Sequence, residues 1–285
     1  MIKKILGALL LVVSVGASPV MASEGGHPWD VAPVKINDQA ALQNGAKLFV
    51  NYCMNCHSAS LLRYNNLTQI GLTEDQIVEN LMFTGKKVGD KMTIAMGHND
   101  AKLWFGAAPP DLSLMARAKA ENLGQPGTDY IYTYLRTFYR DKSRDLGWNN
   151  LVFPNAGMPN PLWERQGPVE VTFTDVHEVE KEDGTKEWRE TISKVDTAGY
   201  KSVVSDKVLT DFKGHASSHA EITYLDKEKQ AQYDKDMADL TAFMGWMAEP
   251  QQEFRKTLGI WVLAFLFIFF GVMWQLNKSY WKHVK

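Results

Sequence analysis

Cysteine is nearly missing from this 285-residue chain: Cys53 and Cys56 are the only two. If both serve another purpose, none is left for a disulfide, and packing has to close the loops. No internal repeat or low-complexity tract is visible, which excludes solenoid and biased-composition architectures. No Gly/Ser-rich tether separates the last polar helix pattern from the apolar C-terminal run. Charge of either sign is absent from residues 257–277, TLGIWVLAFLFIFFGVMWQLN. Elsewhere the chain is ordinary, 45% hydrophobic and 22% charged, and long enough for a sizeable core in one or two domains.

The two ends read as membrane-directed segments. Residues 1–22, MIKKILGALLLVVSVGASPVMA, carry Lys3 and Lys4, an apolar stretch Ile5–Val15, and small residues. Val20 and Ala22 suit cleavage before Ser23, the pattern of a secretory signal peptide. The uncharged run 257–277 is long enough, at roughly 1.5 Å per residue, to cross a hydrocarbon core of about 30 Å. Trp261, Trp274, Tyr280 and Trp281 sit near its ends, where amphipathic rings favour the headgroup zone. The expected organisation is a signal peptide (1–22), an exported domain (23–254), and an anchor with a short tail (255–285). Export of the N-terminal part places the main domain in the periplasm, a single pass through the bacterial inner membrane, and the C terminus in the cytoplasm. Of 31 basic residues, 24 then fall on 23–254, against all 33 acidic ones. An exported domain about nine charges negative excludes nucleic acid and suits a basic protein partner.

Between the ends the pattern is mostly helical. Leu42, Ala46, Phe49 and Val50 recur at helical spacing just before the cysteines. Thr73 and Gln76 form a capping-box pattern for a helix whose apolar face is Ile77, Val78 and Leu81, stopped by Gly85. In APPDLS, residues 108–113, Pro109 and Pro110 fix an extended backbone, and Asp111 or Ser113 can cap a helix beginning after them. Residues 129–140, DYIYTYLRTFYR, predict a helix with Ile131, Tyr134, Leu135 and Phe138 on one side. Met237, Leu240, Met244 and Met247 stripe another helix over 233–248. Residues 169–215 change to short β-prone runs, read as a hairpin insertion turning at Asp183-Gly184. Its acidic residues, Glu170, Asp175, Glu178, Glu180, Glu182 and Asp183, read as a solvated face rather than a docking surface.

The chemistry concentrates in 52-YCMNCHSAS-60. A dithiol redox centre wants a preceding strand, and a structural zinc site wants four ligands. Beyond the two thiols and the adjoining His57, the chain offers dispersed histidines such as His27, His98, His177, His215 and His219. Covalent haem attachment wants two thiols at this spacing and a histidine next to the second, and Cys53, Cys56 and His57 supply all three. The thiols add across the two vinyl groups, and His57 becomes the proximal ligand. Its other ring nitrogen then needs an acceptor, most simply a backbone carbonyl. A closing sixth ligand would make an electron carrier. Met158, in 154-PNAGMPNPLW-163 between Gly157 and Pro159, has the local rigidity to present a thioether. Met92, Met96 and His98 are its rivals, and an open site remains an alternative. Arg117 or Arg136 could meet propionates, and Tyr64, Trp104 and Phe105 could wall the cofactor.

Several segments together resemble the cytochrome c1 family, the haem subunits of quinol–cytochrome c reductase (bc1) complexes, in its proteobacterial form. They are GAKLFVNYCMNCHSASLLRYN, MTIAMG with AKLWFGAAPPDLSLMARAKAE, DYIYTYLRTFYR, FPNAGMPNPLW, and MAEP followed by RKTLG and the span. The resemblance covers residue 43 to the C terminus, apart from 169–215. It implies a mainly α, class I-like c-type cytochrome domain with a β-hairpin insertion and one C-terminal transmembrane helix. It implies one covalent haem c on Cys53 and Cys56, with His57 and Met158 as axial ligands. Pro109 and Pro110 would line the pocket and Arg117 would contact a propionate. The implied partners are cytochrome b, a Rieske [2Fe–2S] protein, a cytochrome c acceptor and membrane lipid, in a dimeric complex. The implied function is one-electron transfer from the Rieske protein to cytochrome c, with no separate catalytic activity. The alternative is a monohaem cytochrome anchored to a terminal oxidase or a nitric oxide reductase.

Overall fold

The computed structural model describes residues 27–122, 124–181 and 184–283. The leader over 1–22, its cleavage site, Glu182, Asp183 and Lys285 lie outside the described residues. In chain order the helices are α1 (Gln39–Leu48), α2 (Glu74–Asn80), α3 (His98–Phe105), α4 (Met115–Ala118), α5 (Gly127–Arg136), α6 (Trp163–Gln166), α7 (Lys227–Ala248) and α8 (Gln252–Tyr280). The strands are β1 (Ala59–Arg63), β2 (Lys91–Met92), β3 (Phe138–Arg140), β4 (Trp148–Asn150), β5 (Val169–Glu180), β6 (Lys186–Val195), β7 (Lys201–Leu209) and β8 (Ser217–Tyr224). They divide into two compact units, one of Val31–Lys119 with Ala231–Lys285, the other of the described residues to Asp30 with Ala120–Gln230.

In the first unit, Asp38 caps α1 by accepting from the backbone N–H groups of Ala40 and Ala41. Leu42, Ala46, Phe49 and Val50 are all buried, as their spacing predicts. Gly45 lets α1 approach α7 backbone to backbone, since a Cβ there would lie 2.2 Å from the Asp239 carbonyl oxygen. The Phe49 and Phe243 rings meet at 5.5 Å beside it. Met237, Leu240, Met244 and Met247 of α7 are buried, so that stripe is core. Thr73 and Gln76 cap α2 reciprocally. Two expectations for α2 are corrected. Val78 is exposed, because seven residues of helix bury only Ile77. The helix also ends at Asn80, with Leu81 as its C-cap, before Gly85 is reached.

After a three-residue link from α7, α8 runs for 29 residues with no buried side chain. It is the one described helix long and apolar enough to cross a membrane, with a mean hydropathy of 2.2 over an 18-residue window. Lipid rather than protein is the natural cover for such a surface.

In the second unit, α5 stops at Arg136, and Phe138–Arg140 turns into strand β3, so the helix predicted over 129–140 is shorter. Thr137 ends it: its hydroxyl bonds back to the Thr133 carbonyl and its backbone joins the β4 side. The predicted hairpin is present as β5 and β6, but it belongs to a four-stranded antiparallel sheet in the order β7-β6-β5-β8. Val169, Val171, Val195 and Tyr224 bury the near end of this sheet. The far end is exposed and laced by cross-strand ion pairs, Glu178 with Lys186 at 2.7 Å and Arg189 with Asp206 at 2.5 Å, and Glu170 pairs with Lys194 at 2.7 Å beside the buried end. Of the acidic residues singled out here, Glu170 and Glu178 are paired across strands and Asp175 accepts from the Ser218 hydroxyl.

Candidate functional site

The chain ends α1 by widening, not by stopping. Residues Phe49–Cys53 form a single π-helical turn, closed by the Met54 N–H on the Phe49 carbonyl at 3.0 Å. Such turns leave carbonyls poorly paired. Here the Asn51 and Asn55 side-chain amides donate to the carbonyls of Lys47 and Asn51. The His57 N–H then bonds to the Cys53 carbonyl at 2.9 Å, so Cys53 and His57 stand one turn apart on one face. Both cysteines are free thiols, Cys53 buried and Cys56 partly exposed. Burial, and secondarily Cys56, push the Cys53 thiol up to about 12. That is the reverse of the depressed thiolate a dithiol redox nucleophile needs. Among the described residues no group of three His, Cys, Asp or Glu could hold a metal ion, so a structural zinc site lacks donors.

His57 is 9% exposed, and its Nδ1 lies 2.7 Å from the Pro110 carbonyl oxygen. Burial keeps it below the ordinary imidazole value, against the raising pull of that carbonyl and of Asp111. A neutral ring that donates from Nδ1 keeps its Nε2 lone pair for a ligand. This is the carbonyl acceptor that the sequence demands, and it comes from the PPDLS segment.

That segment is stitched to the residues after His57 at every step. Leu112 N–H donates to the Ser58 carbonyl at 2.8 Å, and Ser60 N–H to Asp111 at 2.8 Å. Leu61 N–H donates to the Ser113 hydroxyl at 3.0 Å. Asp111 also receives the Ser113 N–H at 2.8 Å. Burial works against its charge, but these hydrogen bonds outweigh it and hold the carboxyl below its usual range. Asp111 and Ser113 therefore cap no helix; α4 begins after Leu114 with no side-chain cap. Pro109 is half-buried and Pro110 exposed, while Arg117 is exposed with Glu249 as a neighbouring charge.

Of the rival ligands in this unit, Met92 is buried in β2 opposite Ala59, held as core. His98 is exposed at the start of α3. Tyr64 is buried and bonded to Thr84 at 2.9 Å, whereas Trp104 and Phe105 are exposed.

Met158 belongs to the second unit, on the segment between β4 and α6, and is half-buried. Two asparagines anchor the segment before it. The Asn150 side-chain oxygen accepts from the N–H groups of Val152 and Phe153, both at 3.0 Å. The Asn149 oxygen accepts from Asn155 at 2.8 Å, and Asn155 takes a positive φ of 65° that asparagine tolerates. After Met158, the Asn160 oxygen accepts from Leu162, and its amide donates to Gln166, which in turn donates to the Phe138 carbonyl at 2.9 Å. The Tyr134 hydroxyl reaches the Met158 sulfur at 3.6 Å. Burial, and secondarily Tyr130, hold Tyr134 far above the ordinary phenol range. Arg136 is committed to an ion pair with Asp30 and lies 4.6 Å over the Tyr132 ring.

Sequence reasoning passed over Asn149, Asn150, Asn160 and Gln166. The available signal was weak: paired asparagines beside an aromatic, a residue type that bonds its own neighbouring backbone.

The chain is similar to known proteins along its length. A protein of Nitrosomonas europaea named ammonia monooxygenase gamma subunit is 37% identical over 286 residues, spanning 100% of this chain and 99% of its own length. The cytochrome c1 of Allochromatium vinosum is 35% identical, over 99% of both chains. A cytochrome b/c1 of Bradyrhizobium diazoefficiens is 27% identical over 98% of this chain and 40% of its own. The family model described as cytochrome C1 family matches residues 29–195 and 214–284, omitting β7 and its flanks. With the paired thiols, the pinned histidine and the apolar C-terminal helix all inside the matched residues, the chain belongs to the cytochrome c1 family.

Proposed function

We propose that this chain is the haem-bearing electron-transfer subunit of a bacterial quinol–cytochrome c oxidoreductase. Cys53 and Cys56 hold one haem c covalently, and His57 and Met158 are its axial ligands. The observation that carries the reading is the His57 imidazole, tethered through Nδ1 to Pro110 beside two free thiols. When bound, the haem supplies reversible one-electron chemistry between ferric and ferrous iron. The residues of the chain do the rest. The Pro110 carbonyl fixes the plane and tautomer of His57 and raises its basicity. The asparagine clamp around residues 149–160 keeps the Met158 thioether from relaxing away. A soft thioether ligand together with imidazole would favour ferrous iron, which would make the centre a high-potential one. Pro109 and Pro110 wall the haem, and Arg117 meets a propionate.

The donor is a Rieske [2Fe–2S] protein and the acceptor a cytochrome c, drawn to a domain about nine charges negative over residues 23–254. The domain has a class I-like cytochrome core, faces the periplasm in a dimeric complex, and is anchored by α8 with its C terminus in the cytoplasm. The relative named cytochrome b/c1 supports cytochrome b as the membrane partner. The test is purification in mild detergent, with subunit identification and a pyridine haemochrome assay. One covalent haem per chain, co-purifying with cytochrome b and a [2Fe–2S] protein, is the expected result. Co-purification with a monooxygenase, a terminal oxidase or a nitric oxide reductase instead, or no covalent haem, would overturn it.

A further inference from the structure

Among the described residues, the Tyr134 hydroxyl hydrogen-bonds to no side chain except the sulfur of Met158, and it is held there firmly. The Tyr134 ring stacks on Tyr130 at 5.9 Å and 10°, and meets Phe138 edge-on at 5.0 Å. Trp29 backs Tyr130 at 5.2 Å. The Tyr134 carbonyl accepts from the Asn150 amide at 2.7 Å, the same asparagine that anchors the chain leading to Met158. Donor ring and acceptor segment are thus tied to one another twice, through a side chain and through the backbone.

A thioether sulfur has two lone pairs. If one goes to iron, the other remains free to accept a hydrogen bond. A donor there withdraws electron density from sulfur and weakens its donation to iron. The ferric form depends on that donation more than the ferrous form does. We propose that Tyr134 is a positioning residue for the sixth ligand, raising the reduction potential by donating a hydrogen bond to Met158 and fixing the orientation of its thioether. The inference rests on the reading that Met158 is an axial ligand. The bland alternative is that a phenol in an aromatic cluster bonds to whatever acceptor is nearest, with no effect on the iron.

The experiment is potentiometric titration of the full-length holoprotein and its Tyr134→Phe variant, together with the ferric thioether-to-iron charge-transfer absorption. Tyr134→Phe removes one oxygen and keeps the ring that stacks. The expected ferrous-to-ferric ratio at a fixed ambient potential falls about fivefold, the factor one net hydrogen bond supplies. For a one-electron couple at 59 mV per decade, that is a drop of about 40 mV. The charge-transfer band should shift in energy but persist. Tyr139→Phe, whose ring lies 6.0 Å from Phe173, should move neither. A Tyr134→Phe protein with an unaltered band and potential overturns the inference while leaving Met158 as ligand. So does one that only melts earlier. Wild-type protein with no such band, and a Met158→Leu variant with unchanged potential, would overturn the ligand reading itself.

Discussion

Gly45→Ala sets two well-characterised effects against each other. In an isolated helix, alanine is better than glycine by about 1 kcal/mol. In this protein the added Cβ would sit 2.2 Å from the Asp239 carbonyl oxygen, 2.8 Å from its carbon and 2.6 Å from the Phe243 Cβ. Two of those three atoms are backbone, so no rotamer change relieves the clash. To restore ordinary contact at about 3.5 Å, α1 and α7 must part by about 1 Å, and a gap of that size forfeits up to half of each affected dispersion contact. The Phe49–Phe243 ring contact and the 2.8 Å bond from Asn44 to Asp239 lie in the opened seam. Overpacking of this kind costs about 1–3 kcal/mol, and the rigid partners place it at the upper end. The net loss is about 2 kcal/mol after the propensity gain, or roughly 4–8 °C in melting temperature for a domain of this size. Far-UV circular dichroism of the full-length holoprotein in detergent reads it directly, with Gly89→Ala, where a Cβ meets nothing within 4 Å, as the control. A Gly45→Ala protein that melts at or above the wild-type temperature would refute the packing reasoning.

Other substitutions test the second unit. Asn150→Ala strips the acceptor from two backbone N–H groups and from the Thr137 hydroxyl, at a site 1% exposed. We expect a loss of about 2–4 kcal/mol in chemical denaturation and faster carbon monoxide binding to the reduced protein as Met158 loosens; unchanged values for both would sink the clamp. Met158→Leu should lower the reduction potential sharply and open the iron to carbon monoxide, and an unchanged potential would count against its ligand role. Asp141 is held below its ordinary 3.8, burial notwithstanding, by hydrogen bonds from Ser143 and Asn149. A depressed folded value means its stabilisation is complete above that ordinary pH and disappears as pH falls through the folded value. Asp141→Asn should therefore flatten the acid limb of the stability curve below about pH 4, and a limb of unchanged steepness would contradict this.

Local chemistry was readable without coordinates wherever neighbours in sequence suffice. The Thr73–Gln76 capping box closes over four residues, the Cys53–His57 turn over five, and α8 needs only an uninterrupted apolar run. The buried stripes of α1 and α7 followed from helical spacing alone. The expected β-hairpin was real, yet the strands flanking it were harder to read. β8 leaves most of its side chains exposed, so no strong hydrophobic pattern marks it, and its place beside β5 is a matter of non-local pairing. Val78 and Gly85 misled because apolar or helix-breaking character is a local property, whereas burial and helix length depend on what packs alongside.

What the sequence by itself determined is the chemistry on offer: two thiols and a histidine at attachment spacing, a methionine in a proline-flanked loop, and one span for a bilayer. Tertiary structure alone decided which carbonyl receives His57, which amides hold the Met158 segment, and which hydroxyl touches its sulfur. Residue type and spacing fix what a group is able to do. A hydrogen bond between positions 24 or 53 residues apart exists only because folding has already brought them to within 4 Å.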